Sequence, residues 1–335
     1  MPRCRPGSGR YGAVIEPLSL DHHAFTELLA RPDAPDQIRE VGNTLLLVDG
    51  DGVLDPDGQG RLTTLPAVIV SISPTDAPPA WADAVAREAE TVERIVTSVS
   101  TNPLASVAFA LLMRSSDARD VGAGLVAEST TYSMLQGGPE FAAWRSSRPV
   151  TERRRGQVLV ERDMHRLLVT LDRPEVHNAL DTAIRDGLVD ALQLAVFDPS
   201  ITDVELSGNG PSFCSGGDLD EFGSRADPAS AHLVRLDRSV ARLLAELASR
   251  VTARIHGSTM GSGIEMAAFA RNVIARHDTR IALPEVSLGL IPGAGGTVSL
   301  PRRIGRHRTA LLGLSGTVIS ASTALRWGLV DEIVA

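Results

Sequence analysis

Apolar positions along this chain follow two rhythms, and the change between them marks out the elements. Residues 17–40 read as a helical stretch. Asn43-Thr-Leu-Leu-Leu-Val48 is an unbroken apolar run of strand length, closed by Asp-Gly-Asp-Gly. Ala67-Val-Ile-Val-Ser-Ile72 is a second such run, and Pro74 to Pro79 breaks it. Residues 81–113 return to helical spacing, interrupted at Asn102-Pro103, and a further helix is expected over 121–135. The stretch 145–156, with Arg153, Arg154 and Arg155, is charged and turn-like. Beyond it, 157–162 and 166–171 suggest a hairpin. Leu180, Ile184, Leu188, Leu192 and Val196 then recur at fourfold spacing on a helix over 179–196. A strand at 203–206 leads into the loop 212–218. A helix over 233–247, a strand at 251–255, a helix carrying Glu265 and a strand at 272–275 follow. Strands alternating with helices predict an α/β fold with a mainly parallel sheet under helical cover. The composition shift near 150 divides the chain into an N-terminal α/β region, 1–150, and a second domain, 156–335.

With 335 residues, 43% of them hydrophobic, the chain can bury a substantial core. No apolar run reaches the ~18 residues of a membrane span, so no membrane partner is expected. The N-terminus is basic, but no apolar segment follows, so no secretory leader is expected and the cytoplasm is the simplest location. Cys4 and Cys214 are too few for a disulfide framework or a metal cluster. A net charge of −8 argues against a nucleic-acid surface. The sequence contains no lysine, so any side-chain contact to a ligand phosphate falls to arginine.

Two carboxylates carry the chemistry. Glu265 closes His256-Gly-Ser-Thr-Met-Gly-Ser-Gly-Ile-Glu265. Glu285 lies in Ile281-Ala-Leu-Pro-Glu-Val-Ser-Leu-Gly-Leu-Ile-Pro-Gly-Ala-Gly-Gly296. Both are framed by apolar residues and punctuated by glycine, unlike a solvated surface glutamate. Such a pair can deliver one proton and remove another without a metal or redox cofactor, while glycine-lined backbone leaves N–H groups able to face a developing oxyanion. Cys214 has no histidine partner specified nearby and reads as a small buried thiol.

These blocks, with Ser212-Phe-Cys-Ser-Gly-Gly-Asp-Leu-Asp220 before them, resemble the enoyl-CoA hydratase/isomerase family, the crotonase superfamily. Arg173-Pro-Glu-Val-His-Asn-Ala-Leu180 and Ala324-Leu-Arg-Trp-Gly-Leu-Val330 flank them in the family's order. The resemblance covers roughly residues 157 to 335 and implies a spiral of ββα turns. It implies that Glu265 activates water, that Glu285 protonates Cα of an enoyl-CoA thioester, and that the backbone N–H groups of Ser215 and Ser262 hold the enolate oxygen. It places His177, Ala179, Gly216, Gly217, Asp218, Leu219, Gly261, Pro292 and Gly293 around the substrate. Asp218 is expected mainly to support its loop. Coenzyme A is part of the substrate and no separate cofactor or metal is implied. The leading reading is a hydratase-like lyase. An isomerase using Glu285 alone, and a non-catalytic acyl-CoA-binding or assembly protein, remain alternatives. Arg271 departs from the aspartate usual at its position.

Family members continue as helices past the Gly-Leu-Val-Asp motif. Here a similar succession precedes the core: Thr91-Val-Glu-Arg-Ile, Asn102-Pro-Leu-Ala, Gly124-Leu-Val-Ala-Glu128, then Pro139-Glu-Phe-Ala-Ala-Trp144. Residues 81–148 are therefore expected to act as a relocated helical tail, packed over the mouth of the site. The strands before them would be remnants of a degenerate first copy. Family members are commonly trimers or pairs of trimers, so a homotrimer or hexamer is expected.

Overall fold

The computed structural model describes residues 16–40, 44–73, 77–149, 151, 154–224 and 227–335. The N-terminal half is built on four parallel strands, β1 (Leu18–Asp21), β2 (Leu45–Asp49), β3 (Val68–Ser71) and β4 (Ala84–Val85), which lie in the sheet in chain order. The helices α1 (His22–Ala30), α2 (Ala34–Glu40) and α3 (Pro56–Leu62) connect β1 to β2 and β2 to β3. Four more helices follow: α4 (Ala89–Thr101), α5 (Pro103–Arg114), α6 (Val121–Gln136) and α7 (Pro139–Ser146).

Three expectations are corrected here. Residues 17–40 are not one helical stretch: Leu18 to Asp21 extend beside β2, and Asp21 accepts from Ala24 N to start α1. Residues 81–88 are not helical. Trp81 and Ala82 are buried in the N-terminal core, β4 pairs with β3, and Asp83 forms a buried ion pair with Arg114 at 2.7 Å while accepting from Ile69 N. Such a pair must be satisfied on both sides to be tolerated; Arg114 also donates to Leu62 O and Leu65 O. The turn expected from 145 starts later, because α7 runs to Ser146.

The C-terminal half begins with the antiparallel hairpin β5 (Gln157–Asp163) and β6 (Arg166–Asp172). It continues through α8 (Thr182–Phe197), β7 (Asp203–Gly208), α9 (Pro228–Asp237), α10 (Val240–Glu246), β8 (Val251–Ile255), β9 (Ser258–Met260), α11 (Ser262–Ala267) and β10 (Asn272–Arg276). Then come β11 (Arg280–Ala282), α12 (Gly296–Ile304), α13 (Arg306–Ser315), β12 (Ile319–Ser320), α14 (Ala321–Trp327) and β13 (Glu332–Val334). The six-stranded sheet has the order β13-β10-β8-β7-β6-β5, parallel except for the hairpin. A small second sheet, β12-β11-β9, sets β9 and β11 parallel. The helix expected over 233–247 is two helices, split at Arg238-Ser239, where Ser239 caps α10 by accepting from Arg242 N.

The halves share a core. Ile95, Val99, Phe109 and Phe141 from the N-terminal helices cluster with Val286, Leu290, Ile291, Ala310 and Leu314. Arg306 donates to Ala82 O at 2.9 Å, and Arg302 to Arg119 O at 2.8 Å. Residues 81–148 thus pack on the second half as expected, with α6 lying against α9, α10 and α12. Among the described residues no single helix is long and apolar enough to cross a membrane.

Candidate active site

Two parallel strands deliver the two glutamates. The register of β9 on β11 sets Met260 beside Ala282, and Gly261 N donates to Ala282 O at 3.0 Å. The chain then turns into α11, which carries Glu265, while β11 runs through Leu283-Pro284 into a tight turn opening with Glu285. Gly261 has φ of +46°, and a side-chain carbon there would collide with Glu285 Oε1. Only glycine brings the two segments this close.

Both carboxyls are buried, and both line a cavity of about 210 Å³ with Tyr132, Arg235, Gly217 and Ser262 among its walls. Their surroundings differ. Glu265 Oε2 accepts from Ala294 N at 2.7 Å and Gly296 N at 2.8 Å. Glu285 Oε2 is buried with no hydrogen-bond partner. Burial raises the pKa of Glu285 to about 8, with the charge of Glu128 adding to it. Burial also raises Glu265 well above its ordinary value, aided by the charges of Glu285 and Glu128 and opposed by its two backbone donors. Donors to the ionised form favour the carboxylate, and their absence favours the acid.

A third carboxyl completes the cluster. Glu128, on α6, accepts from Gly295 N at 2.7 Å, Thr297 N at 2.9 Å and Thr297 Oγ1 at 2.7 Å. The loop 293–297 is therefore held on alternating amides, with 294 and 296 turned to Glu265, and 295 and 297 to Glu128. Gly296 leaves no room for a side chain against Glu265. Burial raises Glu128 to about 7, moderated by the loop's donors and by the charge of Arg235.

The structure keeps some expected site residues at the cavity and moves others away. Gly217, Asp218, Ser262 and Gly293 line it. Gly261 and Gly216 are not among its lining residues: Gly261 packs against Glu285, and Gly216 (φ +107°) turns the chain before Gly217. Ser215 is a correction. Its N–H donates to His177 O at 2.9 Å, its hydroxyl to Val176 O at 3.3 Å, and it is absent from the cavity wall. Two residues on, Gly217 pairs with Leu180 in a bridge whose two bonds use Gly216 O and Asp218 N, which leaves the Gly217 N–H outside the pairing. Asp218 binds the buried Arg173 at 2.6 Å and accepts from Asp220 N at 3.0 Å, as loop support requires. His177, Ala179, Leu219 and Pro292 do not form the cavity wall. His177 is left-handed at φ +55° and its ring meets Ser212 Oγ. Ala179 O accepts from Arg173. Cys214 is fully buried, and burial pushes its thiol to about 11, far from a nucleophile's range. Among the described residues no group of three His, Cys, Asp or Glu side chains is placed to hold a metal ion.

Sequence reasoning missed Glu128, Tyr132, Arg185 and Arg235. Glu128 did end a quoted motif, Gly124-Leu-Val-Ala-Glu128, but only its contact with a loop 167 residues away reveals what it does.

Comparison with known proteins assigns the second half to a family. Residues 165–335 match the family model described as enoyl-CoA hydratase/isomerase. The 2,3-dehydroadipyl-CoA hydratase of Escherichia coli is 36% identical over 177 residues, 53% of this chain and 69% of that protein. An enoyl-CoA isomerase/hydratase of Mycosarcoma maydis is 34% identical over 49% of this chain and 64% of its own length. A crystal structure of an enoyl-CoA hydratase subunit I from Geobacillus kaustophilus HTA426 aligns with a TM-score of 0.50 at 27% identity, over 53% of this chain and 69% of that one. On this match, the chain is an enzyme of the enoyl-CoA hydratase/isomerase family.

Proposed function

We propose that this enzyme adds water across the double bond of a 2-enoyl-CoA thioester through an enolate, with Glu265 as the base and Glu285 as the acid. The observation that carries the reading is the unequal setting of the two glutamates. Glu265 receives two backbone donors and suits the ionised form that orients and deprotonates water. Glu285 has an unpartnered buried oxygen and a raised pKa, and suits the acid that protonates Cα. Burial raises both carboxyls, so it is the backbone donors that Glu265 has and Glu285 Oε2 lacks that distinguish their roles in this reading.

The enolate oxygen requires donors, and Gly217 N–H and Ser262 N–H on the cavity wall supply them in this reading. Ser262 is the first residue of α11, so its amide has no partner within the helix. The step needs no separate cofactor, because coenzyme A arrives as part of the substrate. Residues 81–148 act as the helical cover of the 156–335 domain, and Glu128 is their contribution to the site. A trimer or pair of trimers is the assembly proposed from the family resemblance; light scattering of a monomer at micromolar concentration would overturn it.

The test is loss of enoyl-thioester absorbance on mixing with crotonyl-CoA. Hydration is expected, falling above about pH 8 as Glu285 loses its proton. A protein that binds crotonyl-CoA but leaves the absorbance unchanged would refute the hydratase reading. An assay of double-bond migration on the same protein would then decide for the isomerase that Glu285 alone can support.

A further inference from the structure

The cavity wall also carries a guanidinium that, among the described residues, has no ion-pair partner, although the charge of Glu128 acts on it. Arg235, on α9, is half-buried, and its group lies 4.6 Å over the Tyr132 ring. All its acceptors are neutral: Ser129 Oγ at 3.1 Å, Gln136 Oε1 at 3.3 Å, Ser129 O at 3.4 Å, and Ser133 Oγ. Among the described residues no carboxylate forms an ion pair with it, although burial works against its charge. Those four bonds leave one Nη1 hydrogen and the guanidinium charge for a carboxylate or phosphate ligand.

Its position decides between these two. The cavity bearing Glu265 and Glu285 adjoins a second one of about 170 Å³, and Arg185 and Arg235 line both. The first is also lined by Glu221 and Ser224. The second is walled by Leu125, Ala241 and Met266, which are buried core residues. A wall carrying these buried apolar side chains suits the far end of an acyl chain better than the multiply charged diphosphate of coenzyme A. Arg185 is half-buried beside Arg235 and shares Asp186 with Arg238. Of the other acidic groups lining the two cavities, Asp218 is engaged with Arg173, Glu221 with the amide and hydroxyl of Thr182, and Glu128 with the amides of Gly295 and Thr297.

We propose that the acyl group of the substrate carries a distal carboxylate, held by Arg235 with Arg185 beside it at the junction of the two cavities. The inference rests on the acyl-CoA reading above, and it names which acyl-CoA the site takes. A methyl-terminated chain of equal length would take water away from the Arg235 charge without supplying an anionic acceptor in its place.

The test separates the two claims by measuring binding before turnover. Calorimetry compares saturated six-carbon acyl-CoAs that end in a carboxylate or in a methyl group. The carboxylated ligand is expected to bind about ten- to a hundredfold more tightly, the range of one charged hydrogen-bonding pair. In Arg235→Gln the ratio of the two affinities is expected to fall to about one. Equal affinities in the wild-type protein would overturn the proposal, and so would a ratio unchanged in a folded Arg235→Gln protein. If that variant shows no cooperative melt, the wild-type ratio decides alone. The matching six-carbon 2-enoyl-CoAs then test hydration. A protein that prefers the carboxylated ligand but hydrates neither thioester keeps this inference and refutes the hydratase reading.

Discussion

The two halves of the molecule lay down parallel strands in the same succession and use them differently. In the first half β1, β2, β3 and β4 neighbour one another in chain order. In the second, β7, β8, β10 and β13 do the same. The difference lies between the strands. β3 reaches β4 through residues 72–83, whereas the path from β10 to β13 takes in β11, Glu285, the loop 293–297 and four further elements. The path from β8 to β10 holds β9 and α11 with Glu265. The shared scaffold therefore carries no chemistry in itself; the connections beyond the strand ends do. The first half contributes its chemistry from outside its sheet, through the helices that follow it.

If those helices complete the second half, removing them should have the largest effect of any change. A chain beginning at Gln157 would uncover Val286, Leu290, Ile291, Ala310 and Leu314, now buried against Ile95, Phe109 and Phe141. Returning the four larger side chains, Val286, Leu290, Ile291 and Leu314, to water costs roughly 1.5–3 kcal/mol each, together comparable to the whole stability of a domain. The expected outcome is an insoluble or molten product with no cooperative melt. A folded, soluble and active fragment would separate the halves again and refute the relocated-tail reading.

Within the second half, Glu285→Gln should remove both hydration and double-bond migration by roughly 10²–10⁴-fold, since both need its proton transfer. Glu265→Gln should damage hydration more than migration. Stopped-flow rates on crotonyl-CoA and on a 3-enoyl-CoA provide the check, and near wild-type hydration in the Glu285 variant would end the assignment.

Much of this site was legible in the sequence, because its chemistry is local to motifs. Glu265 and Glu285 each sit in a glycine-punctuated apolar frame, but the three-residue strands that deliver them, β9 and β11, are too short to show as apolar runs and were missed. The amide expected to hold the oxyanion, Ser215 N–H, is engaged with His177 O, and the proposal turns to Gly217 two residues on. The Cys-Ser-Gly-Gly turn offers several amides, and only the pairing of Ser215 with His177, and of Gly216 and Asp218 with Leu180, shows which one stays free. Glu128 and Arg235 were invisible because their partners are distant in sequence. Glu128 meets residues 295 and 297, and Arg235 meets residues 129 to 136. The strand β1 was missed because its four residues read equally well as the start of a helix.

Glu128 is the point where one half acts on the chemistry of the other. In Glu128→Gln an amide NH₂ would have to face either Gly295 N–H or Thr297 N–H, so at least one buried donor loses its acceptor, at a cost of about 1–3 kcal/mol. The loop that holds Glu265 should loosen, and kcat should fall about ten- to a hundredfold with KM for the thioester little changed. The pH profile separates this positioning role from simple destabilisation. The charge of Glu128 raises both Glu265 and Glu285, so its removal should move the alkaline limb of the rate profile to lower pH. An unmoved limb would reduce Glu128 to a packing residue.

The smallest expected effect concerns stability and pH, and it tests whether these carboxyls are as buried as the shared core makes them. Glu285 and Glu128 rise from 4.5 to about 8 and about 7 in the folded protein. A folded pKa above the unfolded one means that the folded state holds its proton more tightly. The stability it contributes is complete below about pH 4.5 and is lost as pH rises through 7 to 8. Each such group can contribute a slope of at most about 1.4 kcal/mol per pH unit between the two values. Wild-type protein should therefore lose melting temperature from pH 5 to pH 8 faster than Glu285→Gln, which has no proton to give up at that position. The two melting curves should diverge steadily over that window and run parallel above about pH 9. Equal slopes throughout would mean that Glu285 titrates as an ordinary carboxyl, and the acid assigned to this site would have to be sought elsewhere.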